Sequence, residues 1–232
     1  MIARIDGKAF HTLTRGMKSP WDEAFQECMY TTALYLAKNI QGCKLAYTQS
    51  DEISLLLTDW EAERTQGWFQ YKVEKVASVS ASMASAKFLT MMLTMFPERK
   101  DLLMSGKGLP SFDARFFSVP KHEVNNYFVW RQKDAIRNSV QMMARAHFSH
   151  KECHGLSNEE LKLKLKSKGL NWGREDSNCR RGICVYATKR EKEVTFEREG
   201  VEQTILATRN IWEVDYEIPL FCKDKSFVES YL

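Results

Sequence analysis

Two strand-like runs, residues 44–48 and 53–57, are separated only by Gln49-Ser50-Asp51-Glu52. So short a polar gap predicts an antiparallel hairpin with both acids at or just past its turn. Ile2-Ala3-Arg4-Ile5-Asp6 is a further short strand pattern, stopped by Gly7. If that strand neighbours the hairpin in one sheet, Asp6 at its end and Asp51 at the turn converge on one edge. Two such carboxylates can share two Mg²⁺ ions, which want oxygen ligands and take only a few from protein. Gly7 lets the backbone approach closely enough for its carbonyl to be a further ligand. This is the core of two-metal phosphoryl or nucleotidyl transfer. Asp6 and Asp51 could equally be turn formers, because Asp favours local hydrogen bonding there, and spacing alone leaves both readings open.

The remaining chain reads as alternating helices and strands. Ser19-Pro20-Trp21-Asp22 opens a helix carrying Met29, Ala33, Leu36, Ala37 and Ile40 at helical spacing, with Gly42 as its stop. Residues 68–96 are rich in Ala, Met and Ser, lack Gly and Pro, and end at Pro97, which predicts one long helix. Residues 111–119 predict a fourth strand. Beyond Pro120 come a helix over about 121–150, a capping box at Ser157-Asn158-Glu159-Glu160 opening a short basic helix to Lys168, and strand-like pieces at 182–187, 193–197 and 204–207. The backbone of Gly7 to Phe10, with Lys8 and His11, could cradle phosphates. Lys72 and Lys75 share a helix face and could meet them too.

At 232 residues, with 44% hydrophobic and 28% charged side chains, the chain fits one or two folded domains and excludes wholesale disorder. Its apolar stretches read as too short and interrupted for a bilayer, so no membrane partner is expected. The start lacks the pattern of a signal peptide. The six cysteines are unevenly spread, which fits a reducing, cytoplasmic setting better than a disulfide scaffold. His147, His150, Cys153 and His154, with Cys179 and Cys184, fit no standard zinc spacing. The net charge of +4 is too small to diagnose a polyanion partner, but residues 159–190 hold nine Lys or Arg against four acids. Lys162, Lys164, Lys166 and Lys168 are therefore candidates for contact with a nucleic-acid backbone.

Taken together, Arg4-Ile5-Asp6-Gly7-Lys8-Ala9-Phe10-His11, Pro20-Trp21-Asp22-Glu23, Ala46-Tyr47-Thr48-Gln49-Ser50-Asp51-Glu52-Ile53-Ser54, Ser78-Val79-Ser80-Ala81-Ser82, Ser111-Phe112-Asp113-Ala114-Arg115, Asn126-Tyr127-Phe128-Val129-Trp130-Arg131-Gln132-Lys133-Asp134 and His147-Phe148-Ser149-His150-Lys151 form an ordered set. The set resembles the tRNA-His guanylyltransferase family, most of all its bacterial, archaeal and phage-type branch of 3′–5′ polymerases that repair tRNA 5′ ends. The resemblance implies an α+β fold: a polymerase-palm-like antiparallel sheet with helices on one face over residues 1–120, then a mixed helical and β-hairpin region, residues 121–232, that holds tRNA. It implies two Mg²⁺ ions on Asp6, the Gly7 carbonyl and Asp51, and a catalytic triad of acids completed by Glu52, which binds metal weakly or orients the site. The nucleotide would lie along Asp6, Gly7, Lys8, Ala9, Phe10 and His11, against Ser50 and Asp51, with Lys72 and Lys75 as matching cations. Arg131 and Asn138 would meet tRNA.

The implied chemistry activates a tRNA 5′-monophosphate with ATP. The 3′-hydroxyl of GTP, the preferred nucleotide, then attacks that end. The chain departs from the family at Gln70 and Tyr71, where basic residues are usual, at Ser19, where a Lys is common, and at Ile136-Arg137-Asn138-Ser139, where only Asn138 matches the His-Ile-Asn-Asn motif. The last departure favours templated repair. A homotetramer is the family's implied assembly. Two other classes stay open: a non-catalytic palm-fold RNA-binding module, which would not need all of Asp6, Gly7, Asp51 and Glu52, and a two-metal nucleotide cyclase, which would not need Trp130-Arg131-Gln132 or a basic second half.

Overall fold

Alternation along the first strand sets the architecture. In β1 (Ile2–Gly7) successive side chains point to opposite sides, so Ala3 and Ile5 face one way while Ile2, Arg4 and Asp6 face the other. The computed structural model describes residues 1–106, 108–198 and 201–232. Its other strands are β2 (Cys43–Gln49), β3 (Glu52–Leu57), β4 (Phe112–Phe117), β5 (Ile183–Arg198) and β6 (Val201–Asp215). Among the described residues these form one antiparallel sheet in the order β4-β1-β3-β2-β5-β6. β1 thus lies between β3 and β4, with Asp6 opposite Glu52 on one side and Asp113 on the other.

The helices are α1 (Phe10–Leu13), α2 (Glu23–Asn39), α3 (Val73–Met95), α4 (Lys100–Met104), α5 (Val124–His147), α6 (His150–Cys153), α7 (Asn158–Ser167), α8 (Ser177–Arg181) and α9 (Lys225–Glu229). α2 and α3 cover the Ala3/Ile5 face, where Leu36, Ala33, Phe88 and Met92 pack on Ile53, Leu55 and Phe116. On the opposite face Ile2, Leu45, Tyr47 and Leu56 meet Val124 and Phe128 of α5, with Phe221 and Val228 behind them. A third cluster joins Val140, Met143 and Ala144 of α5 to Leu161 and Leu165 of α7. Strands from both sides of residue 120 share the sheet, since β5 pairs with β2 from Leu45↔Tyr186 to Thr48↔Ile183.

Several elements differ from their sequence patterns. The helix expected over 68–96 begins at Val73, because Phe69, Gln70 and Tyr71 adopt left-handed backbone angles (φ 50°, 55° and 56°). That turn lays Tyr71 beside Phe116 and Phe69 beside Trp68. The segment Ser19-Pro20-Trp21-Asp22 leads into α2 as its pattern predicts, with Asp22 as the cap, accepting from the Phe25 N–H at 3.0 Å. The separate strand pieces after 182 are one long hairpin, β5 and β6, paired from Cys184↔Asp215 to Arg198↔Val201. By length and apolar composition α3 is able to cross a membrane, which corrects the reading of the sequence on that point. Its stripe Val76, Ser80, Ala84, Phe88 and Met92 at every fourth residue is instead the face buried on α2 and the sheet.

Phe88 is fully buried, with Phe10, Phe25 and Phe112 rings centred 5.2, 5.8 and 5.5 Å away. Phe88→Ala is expected to cost about 3–5 kcal/mol of unfolding free energy in urea denaturation, because three rings then face a void.

Candidate active site at the β1–β3 edge

Where β1 ends, the chain folds back on itself. Ala9 takes a left-handed φ of 56°, α1 follows, and Phe10 tucks beneath Gly7. A Cβ on Gly7 would sit 2.7 Å from the Phe10 ring, so the position requires glycine. Arg99 fixes the far end of this turn by donating to the Leu13 and Arg15 carbonyls at 2.7 and 2.8 Å. Across the edge, the hairpin turns at Ser50 (φ 50°), and Thr48 Oγ1 donates to the Glu52 carbonyl at 2.8 Å. The two halves are joined directly: the Gly7 N–H donates to the Asp51 carbonyl at 3.0 Å.

Between them opens a cleft of about 470 Å³ lined by Gly7, Ala9, Phe10, His11, Lys18, Trp21, Ser50, Asp51 and, from α5, Met142. Asp22 fixes its rim, accepting the Lys18 N–H at 3.0 Å while it caps α2. Asp6 lies at the neighbouring end of β1. Burial raises its carboxyl above the ordinary value; Arg4 opposes this and Asp113 adds to it. Burial also raises the Asp51 carboxyl, and the charge of Asp6 raises it further. Both acids are thus held above the ordinary value by burial first, with the charge of Asp6 adding to the shift at Asp51. Their oxygens, with the Gly7 backbone between them, are hard donors suited to Mg²⁺. Among the described residues no three His, Cys, Asp or Glu side chains group as a metal site, so a backbone or substrate oxygen would complete the coordination.

Glu52 does something else. Strand alternation turns it away from Asp51 and under α5, where it is 4% exposed. Arg131 Nε and Nη2 each donate to it at 2.6 Å, and Arg4 Nε lies 3.0 Å from Oε2. Burial acts to lower the Arg131 pKa, but the hydrogen bonds and charge of Glu52 overcome it and hold the guanidinium above its usual value. Both Glu52 oxygens are therefore engaged by Arg131, with Arg4 against one of them. The same pair removes Arg131, 5% exposed, from the candidates for RNA contact.

Other residues singled out in the sequence lie apart from the cleft. Lys8 lines an adjacent groove with Gly108 and Pro110. Lys72 and Lys75 sit at the start of α3, and Lys75 lies over the Phe69 ring at 4.5 Å. Thirteen residues separate Lys75 from Phe88, which packs on Phe10, so at 1.5 Å per residue they are about 20 Å from the cleft end of the helix. Asn138 lines a smaller cavity next to the cleft. On α7, Lys162 pairs with Glu159 at 2.8 Å, while Lys164 and Lys168 donate to the Glu152 and His147 carbonyls at 2.8 and 2.7 Å; Lys166 is exposed. The His150 and His154 rings approach to 5.8 Å, but Cys184 is buried in the sheet, so these residues form no zinc cluster.

A carboxyl whose folded pKa is raised weakens the fold once it ionises: stability is lost as pH climbs through the folded value. In EDTA at neutral pH, Asp51→Asn should therefore melt at a higher temperature than wild type. The gap should close as pH falls toward 3.8, the ordinary carboxyl value. Added Mg²⁺ should raise the melting temperature of wild type more than that of the variant. Differential scanning calorimetry reads all three.

Residues 1–120 match the family model described as tRNAHis guanylyltransferase. Arabidopsis thaliana tRNA(His) guanylyltransferase 1 is 26% identical over 213 residues, covering 86% of this chain but 36% of the plant protein, so the chain spans about a third of that relative's length. A solved bacterial tRNA(His) guanylyltransferase-like protein in complex with ATP is 41% identical, with a TM-score of 0.84 over 99% of this chain and 88% of its own. A second such structure, in complex with GTP, is 38% identical with a TM-score of 0.76 over the same shares. A match across half the chain's length, together with that level of identity over nearly all of it, shows that the chain belongs to the tRNAHis guanylyltransferase family.

Proposed function

We propose that the protein is an Mg²⁺-dependent nucleotidyltransferase that adds nucleotides, GTP preferred, to tRNA 5′ ends in the 3′–5′ direction, as templated end repair. The observation that carries this reading is the Gly7 N–H bond to the Asp51 carbonyl at the wall of a cleft large enough for a nucleotide, with Asp6, the residue before Gly7, close enough for its charge to act on Asp51. ATP and GTP in the similar bacterial structures support nucleoside triphosphates as the cleft's ligands.

Asp6, the Gly7 carbonyl and Asp51 would hold the ions. Bound there, Mg²⁺ would neutralise phosphate charge and favour the ionised form of the attacking hydroxyl. The turn from Gly7 to His11 lies along one wall and would seat the triphosphate, with Lys18 at the rim. Ser50 and Asp51 form the opposite wall, so the reacting phosphorus would lie between them and Gly7. In the first stage the tRNA 5′-phosphate takes AMP from ATP and releases pyrophosphate. In the second, the 3′-oxygen of GTP bonds to that 5′-phosphorus, the bond to AMP breaks, and the hydroxyl proton passes to solvent. Both stages are in-line displacements, for which fixed positions and charge neutralisation supply most of the rate. A cytoplasmic tetramer acting on tRNA completes the proposal.

The test supplies the protein with Mg²⁺, ATP, GTP and a tRNA lacking its first nucleotide. Wild type should extend the 5′ end, and Asp51→Ala should lower the rate by at least about a hundredfold, the scale of losing one stabilising group in a phosphoryl-transfer site. Extension that survives Asp51→Ala would overturn the assignment. Extension confined to tRNA-His, without template pairing, would overturn the repair reading.

A further inference from the structure

Trp130 of α5 is 53% exposed although its helix is otherwise well packed on the sheet. A single exposed aromatic is ordinary on a protein surface. What sets Trp130 apart is how it is mounted. The Arg131 guanidinium lies over its ring at 4.4 Å and that of Arg4 at 5.8 Å, and the Tyr127 ring meets it edge-on at 6.0 Å. None of these supports is loose. Arg131 is held by both oxygens of Glu52 and by Asp134, Arg4 by Glu52, and the Tyr127 hydroxyl bonds to that of Ser54 at 2.7 Å. The indole is therefore a flat, rigid surface with half its area in solvent, so a second flat group can stack on it with little further loss of side-chain freedom.

Its place in the fold ties this surface to the acids. Arg4 and Asp6 project from the same side of β1, two residues or about 7 Å apart. The Asp6 carboxyl feels the charges of both Arg4 and Arg131, the two guanidiniums that support the indole. On β4, Arg115 and Asp113 stand directly opposite Arg4 and Asp6, and both side chains are exposed. Along α5, Lys133 and Arg137 follow Trp130 at helical spacing and are exposed too. The acids of this surface are Asp113, 4.0 Å from Arg115, and Asp134, which Arg131 and Arg137 already engage. An aromatic plane rimmed by cations does not suit an apolar protein partner. It suits a nucleobase, whose π face stacks on the ring while the attached phosphates meet the rim.

We propose that Trp130 is a stacking platform for a nucleobase, positioning it beside the Asp6 end of β1. The role rests on the nucleotidyl-transfer reading, since addition at an RNA end requires the last base to be held in register with the acids. The terminal base of an RNA stem has lost one stacking neighbour, and the indole replaces it. The base belongs either to that RNA end or to a nucleotide.

Binding can be measured without turnover by offering each probe alone in Mg²⁺. The probes are an acceptor-stem hairpin lacking its first nucleotide, with 2-aminopurine as the base left unpaired, the same hairpin abasic at that position, and 2-aminopurine riboside triphosphate. Wild type should bind the base-bearing hairpin about tenfold more tightly than the abasic one and quench its fluorescence. In Trp130→Leu the ratio should fall close to one and the quenching should vanish, while Trp130→Phe should recover part of both. That result assigns the RNA base. A hairpin preference untouched by Trp130→Leu, with quenching of the triphosphate lost, assigns the nucleotide base. Wild type with neither signal, or variants that leave both intact, overturn the proposal. So does a loss accompanied by a changed sedimentation coefficient, because Trp130 then serves contact between chains. Should Trp130→Leu melt below the assay temperature, Trp130→Phe decides: its smaller ring should lower the ratio severalfold, and an unchanged ratio overturns the platform. No catalysis is involved, so failure here leaves the Asp51→Ala result standing, and failure of that assay leaves the hairpin ratio interpretable.

Discussion

The geometry of the site depends on a carboxylate that never reaches it. Glu52 follows Asp51 in the chain, and strand alternation sends the two side chains to opposite sides of the turn. With both its oxygens gripped by Arg131 and Arg4 approaching from β1, Glu52 cannot rotate without leaving charges buried and unpaired. Locking Glu52 locks the start of β3, and therefore the residue before it. Arg131 also reaches Asp134 at 3.1 Å, and its guanidinium lies 4.4 Å from the centre of the Trp130 ring, so the lock is built into α5 as well as the sheet. A buried ion pair of this kind contributes little net stability, but it specifies one arrangement, because every alternative exposes a desolvated charge.

The acids at the edge show the opposite economy. Asp6 and Asp51 are raised by burial, Asp6 also by the charge of Asp113 and Asp51 by that of Asp6, with no bidentate cation to relieve them. The fold tolerates this because the surrounding rings and the Glu52 pair hold the edge in place regardless. Unrelieved negative charge beside a cleft is the kind of perturbed pair that marks a candidate functional site.

The convergence of Asp6 and Asp51 was legible because it follows from local rules: a short polar gap gives a hairpin, and a strand ending in Gly gives a turn. Arg131 was expected at the RNA because the family resemblance put it there, whereas the structure buries it against Glu52. The helical period carried the correction, since Val124, Phe128, Arg131 and Ala135 fall on one buried stripe of α5. A charged residue on such a stripe needs a buried partner. Lys72 and Lys75 illustrate a different limit. Their shared face was readable, but which end of α3 would pack beside Phe10 depends on tertiary contacts that no local pattern records. The lysines of α7 looked free in sequence, yet long side chains find nearby carbonyls and rings, and Lys164 and Lys168 both lie over Phe148. The β5–β6 hairpin dissolved into pieces because much of it is exposed on both faces and so lacks a clean alternation.

Arg180 and Arg181 had been counted only as part of a basic stretch. What distinguishes them is position: α8 is fastened to β2 through Tyr47, to α5 through Ser139 and to α2 through Tyr30, so the sequence after residue 120 borders the same edge that residues before it build. α8 runs straight into β5, and the pairing of β5 with β2 from Leu45↔Tyr186 to Thr48↔Ile183 is what sets α8 beside the cleft.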